Sequence, residues 1–319
     1  MCTAISLPAS DHYFGRNLDF EHSFGEKITL TPRRFPFHGE KKEHYAMIGT
    51  ALPLHNSPLY FDATNEAGLS MAGLLFPGTA HYFPPTPGKE NIASYQLIPH
   101  ILGQCKTVSE ARRLLEQINI TDESFSPELP PSPLHWLLAD KDQTLTLEQT
   151  TSGLTVYENP VGVLTNNPTF DMQLLTLQNY AALTTHSPKT LFSGSLDYVP
   201  YSKGLGALGL PGDLSSMSRF ARACFTKLHA VFEDSEEKKV TQFFHVLQSV
   251  SQTKGCVRTP DGYEKTIYAS CCNTSRGIYY YRTYYNSHIY GIDMHREDLD
   301  SKTIKIFPMT DAEPLTIQN

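Results

Sequence analysis

Strand-forming segments crowd both ends of this 319-residue chain, with helical segments between them, and that distribution narrows the fold more than any other feature. CTAISL near the start has the β-branched character of a strand, and KITLT (27–31) repeats it. TLTLEQ (144–149), LTVYE (154–158), KTIYAS (265–270) and GIYYYRTYY (277–285) are alternating or aromatic-rich, as half-buried strands are. Thr107-Val-Ser-Glu110 reads as a capping box opening a helix whose apolar stripe is Val108, Ala111, Leu114, Leu115 and Ile118. Phe220, Cys224, Leu228 and Val231 predict a helix over 216–232, and Phe243, Phe244, Leu247 and Val250 predict one more. A simple βαβ alternation does not fit this order. The expected class is α+β, helices layered on largely antiparallel sheet.

One domain, residues 2–319, is expected, because no composition shift or repeat marks a boundary. The Pro-rich stretches FPPTPG (83–88) and SPELPPSP (126–133) are too short for linkers and read as stiff surface loops. A net charge of −7, with no basic cluster interleaved with aromatics, argues against nucleic acid or an anionic membrane as partner. No segment approaches the roughly 20 apolar residues of a membrane-spanning helix. MCTAISLPASDHYFGRN lacks the basic and apolar regions of a secretion signal, so the expected compartment is the cytoplasm. The 13 histidines are dispersed without metal-ligand spacing, and KGLGALGLPGD (203–213) lacks the Gly-Lys-Ser/Thr of a phosphate loop. Neither a metal nor a cofactor is expected.

Six cysteines stand at 2, 105, 224, 256, 271 and 272, with no Cys-x-x-Cys pair. Cys105, Cys224 and Cys271/Cys272 read as small buried hydrophobes. Cys2 differs by its position. Loss of Met1, which a small second residue permits, would leave a thiol and a free α-amine on one carbon. An α-amine titrates near ~7.7–8.0, close enough to neutrality to move protons, and a thiolate is a strong nucleophile. In Phe14-Gly-Arg-Asn-Leu-Asp19, Arg16 is suited to stabilise the thiolate and Asp19 to hold the amine.

Met1-Cys-Thr-Ala-Ile5 followed by Tyr13-Phe-Gly-Arg-Asn-Leu-Asp19 resembles the opening of the choloylglycine hydrolase family, which comprises conjugated bile salt hydrolases and penicillin V acylases. The resemblance continues at Asn65-Glu-Ala-Gly-Leu69, Ser132-Pro-Leu-His-Trp-Leu-Leu-Ala-Asp140 and Gly162-Val-Leu-Thr-Asn-Asn-Pro-Thr-Phe170. Gly209-Leu-Pro-Gly-Asp213, Ser218-Arg-Phe220 and Gly277-Ile-Tyr-Tyr-Tyr281 extend it over nearly the whole chain. The LHWLLAD and VLTNNPTF blocks resemble most the bile salt hydrolases of Gram-positive gut bacteria.

The resemblance implies a four-layer αββα N-terminal-nucleophile hydrolase sandwich. It implies Cys2 as nucleophile, with Arg16 and Asp19 holding its thiol and amine. Asn166 would donate its side-chain amide to the oxyanion, Asn167 serving if the register is off by one, and Arg219 would complete the polar network. Where bile salt hydrolases commonly read Ala-Gly-Leu-Asn-Phe, this chain has Ala72-Gly-Leu-Leu-Phe76, so Leu75 could offer the oxyanion only its backbone N–H. Leu18, Phe24, Leu54, Phe61, Phe125 and Leu129 would line a steroid pocket, which Phe61 narrows. The implied reaction releases glycine or taurine from a conjugated bile salt through a thioester, without metal or cofactor, in a homotetramer. The alternative is a penicillin V acylase or related N-acyl amidase using the same groups. A third reading is a catalytically silent binder of amphipathic ligands, to which Leu75 alone points.

Overall fold

The computed structural model describes residues 1–37, 43–54, 57–188, 193–196 and 199–319. From the start of the chain come β1 (Cys2–Pro8), β2 (His12–Phe20), β3 (Lys27–Thr31), β4 (Met47–Leu54), β5 (Ser57–Asn65), β6 (Ser70–Leu75) and β7 (Glu90–Ala93). Helices α1 (Leu97–Gln104) and α2 (Val108–Leu115) follow, then β8 (Ile118–Thr121), β9 (Leu134–Ala139), β10 (Thr144–Thr150), β11 (Gly153–Glu158) and β12 (Val163–Leu164). The last part holds α3 (Phe170–Leu177), α4 (Ser216–His229), α5 (Glu236–Gln248), β13 (Val257–Thr259), β14 (Gly262–Asn273), β15 (Ile278–Thr283), β16 (Asn286–Asp293) and β17 (Lys305–Phe307).

Two large sheets result. The first runs β12-β1-β2-β14-β15-β16, with β13 paired to β14; the second runs β11-β10-β9-β6-β5-β4-β3-β17. Their described pairings are antiparallel. Helices α4 and α5 cover the first sheet, burying Phe220, Cys224, Phe243, Phe244 and Leu247 against β1, β2 and β14. Helices α1 and α2 cover the second with Leu97, Ile101, Val108 and Ala111. Between the sheets, Ile28, Leu30 and Ile48 meet Tyr279 and Tyr281. Each fully buried side chain of this size contributes about 1.5–3 kcal/mol, so four stacked layers give all four sheet faces an apolar partner. The arrangement is a four-layer αββα sandwich, the architecture that the resemblance implies.

Strand β2 sits in the middle of the first sheet and is buried on both faces from His12 to Asp19. Its approach to β14 is close. A Cβ on Gly15 would lie 2.0 Å from the Ser270 carbonyl oxygen, which explains a glycine in mid-strand.

The local expectations are corrected at three places. Helix α2 stops at Leu115, and Ile118 begins β8 instead of extending the stripe. Thr107 caps it, but Glu110 reaches back to the Lys106 N–H (2.7 Å) instead of closing a box on Thr107. Helix α4 ends at His229 because Ala230 is already extended, leaving Leu228 and Val231 60% and 79% exposed. The 277–285 segment is strand only to Thr283; a turn at Tyr284-Tyr285 then starts β16.

Candidate active site

The alternation of β2 distributes its polar residues. Side chains two apart share a face, so Arg16 and Leu18 look toward the second sheet while Asn17 and Asp19 look toward α5. The contacts agree: Arg16 Nη1 donates to the carbonyls of Phe61 (2.9 Å) and Gly73 (2.5 Å) across the sandwich. Asn17 Nδ2 donates to Leu247 O on α5 (2.9 Å). Asp19 accepts from Thr266 Oγ1 (2.6 Å) and Gln252 Nε2 (3.5 Å). Arg16 and Asp19 are both fully buried and stand on opposite sides of the strand, so they are not a surface pair. Cys2 faces Leu18 across the β1–β2 ladder.

Arg16 reaches its partners where the second sheet opens. The β5–β6 pairing stops at Asp62↔Ala72, and the carbonyls of the next residues, Phe61 and Gly73, take the guanidinium instead. Burial works against the charge on Arg16, yet the Cys2 thiol, Tyr268 and Asp62 hold its pKa above the usual value. Asp62 is itself bound by Tyr268 Oη (2.8 Å) and Tyr279 Oη (2.6 Å). Burial pushes its carboxyl up, and Arg16 pulls it back. Arg16 Nη2 has no hydrogen-bond partner among the described residues.

The other polar groups meet at the start of β1. Asn166 follows β12 and is anchored by its backbone N–H on Ser216 Oγ (2.9 Å). Its Oδ1 accepts from the Cys2 N–H (2.8 Å) and from Arg219 Nη2 (2.7 Å), while its Nδ2 donates to Leu75 O (2.7 Å). Arg219, in the first turn of α4, also donates through Nη1 to Cys2 O (2.5 Å) and Thr3 Oγ1 (2.7 Å). Nη1 lies 3.9 Å from Asp19 Oδ2. Burial lowers the Arg219 pKa and raises that of Asp19, each partly offset by the other's charge. With Met1 in place the α-amine donates to Asp19 O (2.6 Å) and pairs with the Glu264 carboxylate.

Leu75 completes the constellation through its backbone. Phe76 N–H donates to Pro133 O, which makes Phe76–Pro133 a hydrogen-bonded pair and Leu75↔Leu134 a non-bonded one. The N–H and C=O of Leu75 therefore turn away from β9, toward the side where Asn166 already holds the C=O.

Above Cys2 lies a cavity of about 270 Å³, near the lower end for small-molecule sites. Its floor is Cys2, Arg16, Gly73 and Leu75; its walls are Leu18, Phe20, Phe24, Leu52, Leu59, Phe61, Phe125, Leu129 and Trp136. Phe24 packs against Phe20 and Phe61, with ring centroids 4.6 and 5.7 Å apart. Leu54 is a correction. It pairs with Ser57 at the far end of the β4–β5 hairpin, and Leu52, one full strand period inward, takes the wall position. The 126–133 segment is a further one: Leu129, Pro130 and Pro131 form a cavity wall instead of a mere surface loop.

Residues 2–307 match the family described as linear amide C-N hydrolases, choloylglycine hydrolase family. The chain belongs to that family. It is 49% identical over 314 residues to the bile salt hydrolase/transferase of Lactiplantibacillus plantarum, covering 97% of each chain, and 36% identical to that of Clostridium perfringens, covering 96% of each. A solved variant of the Clostridium perfringens conjugated bile acid hydrolase superposes with a TM-score of 0.92 at 33% identity over 100% of both chains. The penicillin V acylase of Agrobacterium tumefaciens shares the fold, with a TM-score of 0.75 at 20% identity over 97% of this chain and 91% of the other. Membership makes the chain a hydrolase of linear amide C–N bonds, as the sequence predicts.

Of the site residues expected from the sequence, Cys2, Arg16, Leu75, Asn166 and Arg219 come together, with Asp19 behind the strand. Asn167 does not join them: its Nδ2 bonds Pro77 O (3.0 Å) and Thr79 Oγ1 (2.8 Å). Sequence reasoning missed Thr266, Gln252, Asp62, Glu264 and Ser216. Each is an ordinary polar residue whose partner is distant in the chain, so no local pattern marks it. Among the described residues no group of three or more His, Cys, Asp or Glu is placed to hold a metal.

Proposed function

We propose that the chain hydrolyses the amide bond of conjugated bile salts, with Cys2, freed by removal of Met1, as nucleophile. The supporting observation is one of geometry: the first thiol of the chain lies on the floor of an apolar cavity, beside a buried guanidinium. Its relatives carry bile salt hydrolase names over nearly their full lengths. An apolar cavity suits a steroid body, and the amide would lie at its polar floor.

In this mechanism the Cys2 thiol gives its proton to the α-amine on the same residue, and sulfur bonds to the amide carbonyl carbon. Arg16 steadies the thiolate, and Asp19 and Arg219 set the charge around the amine. The oxyanion takes the Leu75 N–H and the Asn166 side-chain amide. Collapse breaks the C–N bond, the proton moves to the leaving amine, and an acyl thioester remains on Cys2. Water then opens it, giving the bile acid and restoring the thiol. Phe61 narrows the cavity toward slimmer acyl groups, and the other wall residues Leu18, Phe24, Phe125 and Leu129 hold the body.

The same proposal treats residues 2–319 as one domain, working in the cytoplasm, where the six free thiols persist. Among the described residues no helix is long and apolar enough to cross a membrane. A homotetramer is the proposed assembly: Leu175, Val199, Tyr201 and Leu208 leave large apolar side chains 65–85% exposed, which a second copy would cover. Light scattering tests that point.

Rates on glycocholate, taurocholate and penicillin V test the substrate. Bile salts turned over far faster than penicillin V, with an acyl adduct on Cys2 by intact mass, support the proposal. Penicillin V as the preferred substrate, or no adduct at all, contradicts it.

A further inference from the structure

We propose that His135, partnered by Glu148, is a positioning residue that holds the two halves of the oxyanion pocket, the end of β6 and the Asn166 loop, in register. The proposal rests on the hydrolase reading above.

The two residues face each other: Leu147 pairs with Trp136 across β9 and β10, so Glu148 and His135 are the next pair along. Both side chains are fully buried. His135 Nδ1 meets Glu148 Oε1 at 3.0 Å, and His135 Nε2 meets Thr165 O at 2.9 Å. Thr165 immediately precedes Asn166. On its face the imidazole stacks against Phe76, with centroids 4.3 Å apart and planes within 8°. Phe76 immediately follows Leu75. One ring therefore touches the neighbour of each proposed oxyanion donor, from β6 on one side and the loop on the other.

The hydrogen bonds fix where the protons lie. Thr165 O can only accept, so His135 Nε2 carries a proton. Glu148 Oε1 also accepts from the Phe170 N–H (3.0 Å) at the start of α3. One shared proton between Nδ1 and Oε1 then links the pair, while Glu148 Oε2 is buried with no partner among the described residues. The clamp also ties α3 to the loop, because Gln173 Nε2 donates to Asn166 O (2.5 Å) and Pro168 O (2.8 Å).

Replacing either partner breaks the arrangement in a defined way. His135→Phe keeps a ring against Phe76 but frees Thr165 O and Glu148. Glu148→Gln keeps the shape but cannot serve both neighbours. An amide oxygen facing Phe170 N–H and Nδ1 demands the wrong tautomer at Nε2 or an unbalanced buried charge. An amide nitrogen there opposes the Phe170 N–H.

The test measures kcat and KM on glycocholate beside the rate at which iodoacetamide alkylates Cys2. Alkylation displaces iodide from a tetrahedral carbon and forms no oxyanion, so it reads the thiol alone. A displaced oxyanion donor typically costs roughly 10²–10³ in rate, and a loosened one should lower kcat by about 10–10²-fold. KM and the alkylation rate should stay within about twofold of wild type. That pattern in both variants supports the proposal, and in Glu148→Gln alone it does so if His135→Phe does not fold. Unchanged kcat overturns it, and so does a parallel loss of kcat and alkylation, the mark of a merely structural residue; failure of both variants to fold is counted as that structural outcome. If wild type itself does not turn over glycocholate, or Cys2→Ala does, the hydrolase reading fails instead.

Discussion

The two ends of the β1–β2 hairpin are built from similar residues and treat buried polar groups in opposite ways. At the turn end, His12 is satisfied on both nitrogens, by Ser6 Oγ (2.9 Å) and Thr274 Oγ1 (2.9 Å), and Ser6 also takes Thr144 Oγ1 (3.0 Å). At the open end, Arg16 Nη2, Asn17 Oδ1, Gln252 Oε1 and Glu264 Oε2 are buried without a partner among the described residues. An unmet buried group costs about 1–3 kcal/mol, so the open end gives up stability that the turn end keeps. Unmet polar atoms at the hairpin end that carries Cys2 are expected of a site that holds charge for chemistry.

At the open end the largest effect is expected from Asn166→Ala. It removes a proposed oxyanion donor and should lower kcat by roughly 10²–10³-fold while costing only about 1–3 kcal/mol in denaturant unfolding. Similar loss of both, measured side by side, would make Asn166 a structural residue.

At the turn end the effect should be on stability. Burial, opposed by Asp140 and assisted by Lys227, pushes the His12 pKa down to about 4. The unfolded chain takes up that proton near pH 6.5 and the folded chain only near 4, so the unfolded state holds more protons in between. Stability is therefore full above pH 6.5 and falls by about 3 kcal/mol as pH drops to 4. His12→Gln should flatten this part of the profile and leave turnover at pH 7 unchanged. An unaltered slope would mean another group carries the dependence.

The smallest effect is expected from Leu75→Asn. The backbone donor remains, so folding stability should move by less than about 0.5 kcal/mol, and the glycocholate-to-taurocholate rate ratio should shift a few-fold. A change of a hundredfold in overall rate would show that the side chain, and not the N–H, matters at this position.

Much of this site was legible from the chain because the polar groups sit beside recognisable blocks: Cys2 at the start, Arg16 and Asp19 in FGRNLD, Asn166 in TNNP. The strand that carries Arg16 and Asp19 was not legible. Strand β2 is buried on both faces and carries polar residues on both, so HYFGRNLDF shows no apolar alternation. Helix α4 misled in the opposite sense. Leu228 and Val231 continue an apolar period past the point where packing ends. Leu54 sits on the correct face of β4 but one period too far out, a distinction that depends on where the hairpin turns.

The proposed mechanism has the thiol and the α-amine of one residue act together. Its most direct test compares glycocholate hydrolysis by chains whose mass shows Cys2 as the first residue with chains that keep Met1 behind an uncleaved extension. A misplaced general base should cost about 10²–10⁴-fold, so the second preparation should be slower by that factor with its fold intact by circular dichroism. Equal rates from the two would contradict the claim.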